Sequence, residues 1–193
     1  MKYQKFVLLD YIDINETPEN IAEALTMTGL EVEEVIQPGK NIHGVVVGKI
    51  LTKEAHPDSD HLTLCTVDVG QGEPLQIVCG AKNHKAGDVV PVAMIGAKLP
   101  AGFEISKAKM RGVESFGMLC SKSELGLAAE SSGLYILDPN LKLGEDIVKA
   151  LKLDEVIFEV SITANRGDAL SHLGIARELS AIFNLPLKRN PLA

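Results

Sequence analysis

Tryptophan is absent from the 193-residue sequence, and aromatic residues make up only 4% of it. A surface built wholly on stacked aromatic platforms therefore has little raw material, which disfavours a dedicated single-strand binder. No stretch approaches the ~20 apolar residues of a membrane span, and Asp10 and Asp13 interrupt the first apolar stretch too early for a signal peptide. The three cysteines, Cys65, Cys79 and Cys120, are odd in number and widely spaced, with no CxxC and no Cys/His pair at zinc-ligand spacing. They read as reduced thiols buried as small hydrophobes, and the expected location is the cytoplasm. A positive excess is lacking too: 26 acidic against 19 basic residues leave a net −7, so nothing draws polyanions to the chain as a whole. Any nucleic-acid site must be a local patch.

Enzyme signatures are missing as well. There is no GxGxxG, Walker loop, HExxH or GxSxG, and His43, His56, His61, His84 and His172 show no paired spacing suited to a metal. His56 and His61 flank Asp58 and Asp60 in a turn, a pattern that suits a hydrogen-bonded loop capping a barrel better than a weak metal site.

What is present is ordinary globular material, 46% hydrophobic and 23% charged, long enough for one or two domains. Thr17-Pro18-Glu19 reads as a hydroxyl cap, a first-turn proline and a first-turn acid, predicting a helix over 18–28 with Ile21, Ala24, Leu25 and Thr28 inward and Gly29 as the stop. A strand over 32–36 follows, then a turn-rich break at 37–41. From 45 to about 137 the texture changes to short β-type runs, over 45–51, 62–69, 75–79, 89–94 and 118–120, separated by turn signals. Strands at this spacing suggest a small barrel or sandwich. Ser121-Lys122-Ser123-Glu124 fits a capping box for one helical turn. The remainder predicts a short helix over 145–151, a strand over 156–162, a polar turn over 163–168 and a helix over 171–183 with Leu173, Ala176, Leu179, Ile182 and Phe183 inward.

Neither the first ~40 nor the last ~50 residues would bury a core alone. The simplest organisation is one discontinuous domain, 1–39 with 152–193, into which a β-rich unit, 40–151, is inserted. Over 40–151 the charges nearly cancel at −1, and the flanks carry −6. Inside the insert the bases cluster as Lys82-Asn83-His84-Lys85 and Lys107-Ala108-Lys109-Met110-Arg111. In a strand, Lys107, Lys109 and Arg111 would share one face, which suits either a phosphate backbone or a solvated edge strand protected from aggregation by its lysines.

Three blocks occur in order: His56-Pro57-Asp58-Ser59-Asp60-His61-Leu62 with Val67-Asp68-Val69-Gly70; Ile77-Val78-Cys79-Gly80-Ala81-Lys82-Asn83; and Lys109-Met110-Arg111-Gly112-Val113-Glu114-Ser115-Phe116-Gly117-Met118-Leu119-Cys120-Ser121. Together they resemble the tRNA-binding OB domain found in the bacterial phenylalanyl-tRNA synthetase beta subunit, in many methionyl-tRNA synthetases and in small tRNA-binding proteins. The flanks, Leu25-Thr26-Met27-Thr28-Gly29-Leu30-Glu31-Val32-Glu33 and Ser161-Ile162-Thr163-Ala164-Asn165-Arg166-Gly167-Asp168-Ala169-Leu170-Ser171 with Gly174-Ile175-Ala176-Arg177-Glu178, resemble the N-terminal region of that beta subunit specifically. The resemblance covers essentially the whole chain. His61 stands where an arginine is usual, so at neutral pH that position offers no counterion release. Ala164 replaces a common proline, and Leu8-Leu9 replaces a tryptophan-leucine pair.

The resemblance implies an α+β chain in which a five-stranded OB-fold β-barrel is inserted into a small discontinuous α+β domain. It implies a part without catalytic or metal-ligating residues of its own, from a longer subunit whose ligase joins phenylalanine to tRNA-Phe with ATP and Mg2+. The active site of that ligase lies on the alpha subunit, in an alpha2beta2 tetramer. Lys82, Lys85, Lys107, Lys109 and Arg111 are then expected to contact phosphates, Asn83 and Ser115 to donate hydrogen bonds to phosphate or sugar oxygens, and Met118 to pack on a ribose or base. Such contacts position an RNA without reading its sequence. Two alternatives stay open: a structural domain bracing the synthetase with little RNA contact, and a small-ligand enzyme using His56, Asp58 and Asp60 near an unusually acidic Cys65 or Cys79.

Overall fold

A computed structural model describes residues 1–100, 102 and 104–188. In chain order the elements are β1 (Lys2–Gln4), α1 (Lys5–Leu8), α2 (Pro18–Met27), β2 (Val32–Ile36), β3 (His43–His56), β4 (Ser59–Asp68), β5 (Leu75–Cys79), β6 (Val89–Lys98), β7 (Ala108–Met110), β8 (Val113–Ser115), β9 (Gly117–Leu119), α3 (Ile147–Ala150), β10 (Ile157–Val160) and α4 (His172–Phe183), with a 3₁₀ turn at Gly167–Ala169. They divide into two compact units, Met1–Pro38 with Asp154–Ala193, and Gly39–Leu153. With these bounds Lys152 joins the inner unit, whose 13 bases and 13 acids cancel, and the whole −7 lies on the other.

The first unit is a three-stranded antiparallel sheet, order β1-β10-β2, covered by helices. Phe158 sits in the central strand opposite Tyr3 and Val35 and is fully buried, packing with Ile21, Leu25, Ile175 and Leu179. Helix α2 starts where the Thr17 hydroxyl accepts the Asn20 N–H at 3.2 Å, with Pro18 in the first turn. It ends at Gly29, whose φ of 90° suits glycine. Thr28 is exposed rather than inward, because its hydroxyl donates to the Ala24 and Leu25 carbonyls. Helix α4 is capped by Ser171, which accepts the Gly174 N–H at 3.0 Å, and closes on Asn184 in the left-handed region. Its buried face is centred on Ile175, Ala176 and Leu179, with Leu173, Ile182 and Phe183 half-buried at its edges.

The second unit is a curled five-stranded antiparallel sheet, order β5-β4-β3-β6-β9, with a separate β7-β8 hairpin, an OB-like arrangement. Both faces of β6 are covered: Val89, Ala93 and Ala97 pack into one cluster, Val90 and Val92 into another, which is why 89–94 reads as an unbroken apolar run. Pro91 lies inside β6 without breaking the pairing. Its carbonyl accepts the Cys120 N–H at 3.0 Å, and the Cys120 carbonyl, which a proline cannot serve, accepts from Tyr135 at 3.1 Å. On the far edge, the Phe116 N–H donates to Gln76 at 2.9 Å, drawing β5 toward the chain between β8 and β9. The Ser121-to-Glu124 capping box forms: Ser121 Oγ accepts the Glu124 N–H, and Glu124 Oε2 accepts the Ser121 N–H at 2.6 Å. It closes a turn rather than a helix.

Candidate nucleic-acid interface

Strands β7 and β8 are joined by the two residues Arg111 and Gly112, with φ of 45° and 86°. Positive φ at both central positions is the hairpin turn whose twist matches paired strands, and Gly112 makes it accessible. Arg111 therefore stands at a hairpin tip and not on a strand face with Lys107 and Lys109, correcting the three-in-a-row expectation. Its guanidinium donates to the Asp58 carbonyl at 3.0 Å. Lys107 precedes β7; its ammonium is paired with Glu114 at 2.9 Å and lies 4.8 Å from the Phe116 ring centroid. Lys109, directly across from Glu114 in the hairpin, is exposed.

Of the other cluster, Lys82 and Lys85 are exposed. Asn83 is used internally: its amide donates to the Leu134 carbonyl at 3.0 Å and accepts the Leu134 N–H at 2.9 Å, bracketing the returning chain. Ser115 is only 2% exposed, donating to the Gly117 carbonyl at 3.0 Å and accepting the Val78 N–H at 3.1 Å. The single Ser115 hydroxyl proton is committed and buried, which corrects that assignment; Asn83 is exposed and its amide has a second N–H beyond the one given to Leu134. Met118 is half-buried and lines a groove.

That groove, of about 540 Å³, is lined by Ala81, the chain neighbour of Lys82, and by Met110 of β7. Alternation along β7 turns Lys109 to the face opposite Met110, so none of the predicted cations lines the groove itself. Its wall, from Ser131 to Leu134, also borders a second concavity of about 400 Å³ that includes Lys122, whose ammonium lies 4.6 Å from the Tyr135 ring centroid. Lys122 reads from sequence only as part of the capping box, and Ser131 and Ser132 are not legible because their segment has no periodicity; the Asn83 bracket places it here.

The expected histidine-rich loop is tied by His56, 4% exposed, whose Nδ1 accepts the Asp58 N–H at 3.1 Å while Nε2 donates to the Met110 carbonyl at 3.1 Å. Both ring nitrogens are engaged, and no cluster of three or more metal-ligating side chains occurs among the described residues. The thiols do not match the enzyme alternative either. Burial pushes Cys65 and Cys79 up, and Cys120 up to about 12. The histidine beside Cys65 is His84, at 3.3 Å, held below its ordinary value first by burial and then by Lys53. A neutral imidazole beside a protonated buried thiol is not an activated nucleophile.

Curled sheet, separate hairpin and the groove beside it define an OB-type module. Residues 45–146, more than half of the chain, match the family model described as "Putative tRNA binding domain", and the chain belongs to that family. Among curated relatives it is similar to phenylalanine-tRNA ligase beta subunits: 55% identical over 176 residues to that of Anaeromyxobacter dehalogenans (91% of this chain, 22% of the relative), 52% over 181 residues to that of Fusobacterium nucleatum (94% and 23%), and 51% over 191 residues to that of Bdellovibrio bacteriovorus (97% and 24%). The chain thus spans under a quarter of the length of these relatives. The crystal structure of the C-terminal domain of Plasmodium vivax p43 aligns with 57% of this chain and 61% of its own, at 22% identity and a TM-score of 0.42, too low to carry an argument.

Proposed function

We propose that this chain is the auxiliary tRNA-binding part of a phenylalanine-tRNA ligase beta subunit, holding tRNA mainly through phosphates while another part of the ligase attaches phenylalanine. The observation that carries this reading is the family match over 45–146, which falls on the charge-neutral unit where Lys82, Lys85 and Lys109 are exposed. In the intact ligase, ATP and Mg2+ serve the aminoacylation step, on an alpha subunit in an alpha2beta2 assembly, in the cytoplasm. Among the described residues no helix is long and apolar enough to cross a membrane. With −7 overall, the chain alone binds tRNA weakly and with strong salt dependence.

The test is a tRNA titration at several salt concentrations. Lys109→Ala removes one phosphate contact and lowers the log–log salt slope by about 1. Lys107→Ala lowers it less, because Glu114 already partners that ammonium. Unchanged slope and affinity for the single and combined substitutions at Lys82, Lys107 and Lys109 would remove the assignment. A second reading, in which the flanking unit serves as a docking surface for other parts of the ligase, is favoured by Phe6, 67% exposed, with Met27 and Leu170 also open.

A further inference from the structure

The groove combines an apolar floor with a polar back wall. Its floor is apolar, with Leu62 of β4, Val78 of β5, Met110 and Met118. Met110 is 41% exposed, and above Gly80 there is open space, since a Cβ built there meets only the Leu62 side chain at 3.6 Å. The back wall is polar, with hydroxyls of Ser131 and Ser132 and the carboxylate of Glu124. Glu124 is oriented by the capping box: Oε2 accepts both the Ser121 N–H at 2.6 Å and the Ser121 hydroxyl at 2.7 Å. Oε1 has no donor among the described residues.

An apolar floor and one fixed acceptor make a two-part arrangement. A phosphate is repelled from it by Glu124. A wholly apolar ligand would cover the carboxylate without serving it, at a desolvation cost. An unstacked base of a single strand satisfies both parts at once, with its flat face on the methionines and its edge toward Glu124. The volume lies within the range of ordinary ligand sites.

We propose that this groove takes one unstacked nucleobase carrying an exocyclic amino group, adenine, cytosine or guanine in preference to uracil, whose amino N–H is accepted by Glu124. The inference rests on the tRNA-binding reading and sharpens it: phosphate contacts elsewhere on the unit are sequence-independent, and binding is selective at the one position inside the groove. Methionine is soft and adaptable and takes any base face, so the selection falls to Glu124. Uracil offers a single ring N–H between two carbonyl oxygens, and those oxygens face the carboxylate unfavourably.

The probe is an RNA hairpin of constant duplex, blunt or with a short 3′ overhang of A, C or U, titrated against the whole chain at low salt. A and C overhangs bind about tenfold tighter than the blunt hairpin, and the U overhang gains several-fold less. Met110→Ala, at an exposed position, removes the gain from all overhangs and leaves blunt binding unchanged. Glu124→Gln keeps an acceptor for Ser121 and adds a donor, so it erases the A and C preference over U. Blunt binding with no gain from any overhang, or a preference that survives Glu124→Gln, overturns the slot while leaving the tRNA reading intact. Absence of binding to the hairpins and to tRNA alike overturns both.

Discussion

His56 and Met110 are hydrogen-bonded across two hairpins, ring Nε2 to carbonyl oxygen at 3.1 Å. Because Nδ1 accepts the Asp58 N–H, the proton must sit on Nε2, and the ring joins the β3–β4 tip to the end of β7. Arg111, donating to Asp58, is a second tie between the same two tips. The hairpin carrying Lys109 has strands of only three residues each and is held largely by such bonds from outside.

Replacing His56 by alanine leaves the Met110 carbonyl and the Asp58 N–H without protein partners in a partly buried setting and empties the space of a buried ring. The expected cost is about 1–2 kcal/mol, seen as a lower thermal midpoint. Trypsin cleavage after Lys109 and Arg111 should accelerate more than cleavage elsewhere. A digestion pattern identical to that of the unsubstituted chain would show that the hairpin is held by other means.

Gly174 in the first turn of α4 has no room for a side chain. A Cβ there would stand 2.0 Å from the Asp168 carbonyl oxygen and 3.0 Å from the Ala169 Cα, all backbone that cannot rotate away. Gly174→Ala should destabilise the first unit by about 3 kcal/mol. Gly167, seven positions earlier, has nothing within 4 Å of its built Cβ. Gly167→Ala should stay within about 0.5 kcal/mol, so paired denaturant titrations separate close approach from a general intolerance of substitution in this segment.

Much of this fold is legible in local chemistry. Thr17 with Pro18, and Ser171 ahead of an apolar face, place α2 and α4 because a cap is a contact within three residues. Leu75 to Cys79 lies between Gly72-Glu73-Pro74 and Gly80 and reads as β5 without its partner. The second half of β3 was invisible: Thr52, Lys53, Glu54 and Ala55 carry no apolar alternation and are extended only because Thr66, Cys65, Leu64 and Thr63 pair with them. The site was harder for the same reason. Basic clusters were legible as composition, but whether Asn83 faces solvent or brackets Leu134 depends on a segment about fifty residues away.

Stability should fall on mild acidification. Burial holds His172 below its ordinary value of 6.5, and its Nε2 accepts the Gln4 N–H at 3.2 Å, which requires an unprotonated nitrogen. His84 is lowered as well, by burial and then by Lys53. For a group whose folded value is depressed, the unfolded chain binds the proton first. The contribution is therefore whole above about pH 6.5 and is lost as pH falls through the lower folded values. Denaturant midpoints should drop between neutral pH and pH ~5, and His172→Asn should flatten that dependence for the first unit. A midpoint that rises on acidification would contradict the sign.

Asn83 and Lys109, both exposed, should respond differently to substitution. Asn83→Ala removes both bonds to the Leu134 backbone, leaving a partly buried N–H and carbonyl to find water, with an expected loss of about 1–3 kcal/mol. Ser115→Ala belongs with it, since Val78 and Gly117 lose their partner. Neither removes a positive charge, so among molecules that remain folded the salt slope of tRNA binding should be unchanged. Lys109→Ala should do the reverse, lowering the slope by about 1 with a thermal midpoint close to that of the unsubstituted chain, because its exposed ammonium forms no ion pair or hydrogen bond among the described residues. Measuring both quantities on each variant separates residues that build the groove from those that hold the RNA. An Asn83→Ala chain with normal stability and a weaker affinity at unchanged slope would place Asn83 in the RNA-contacting set.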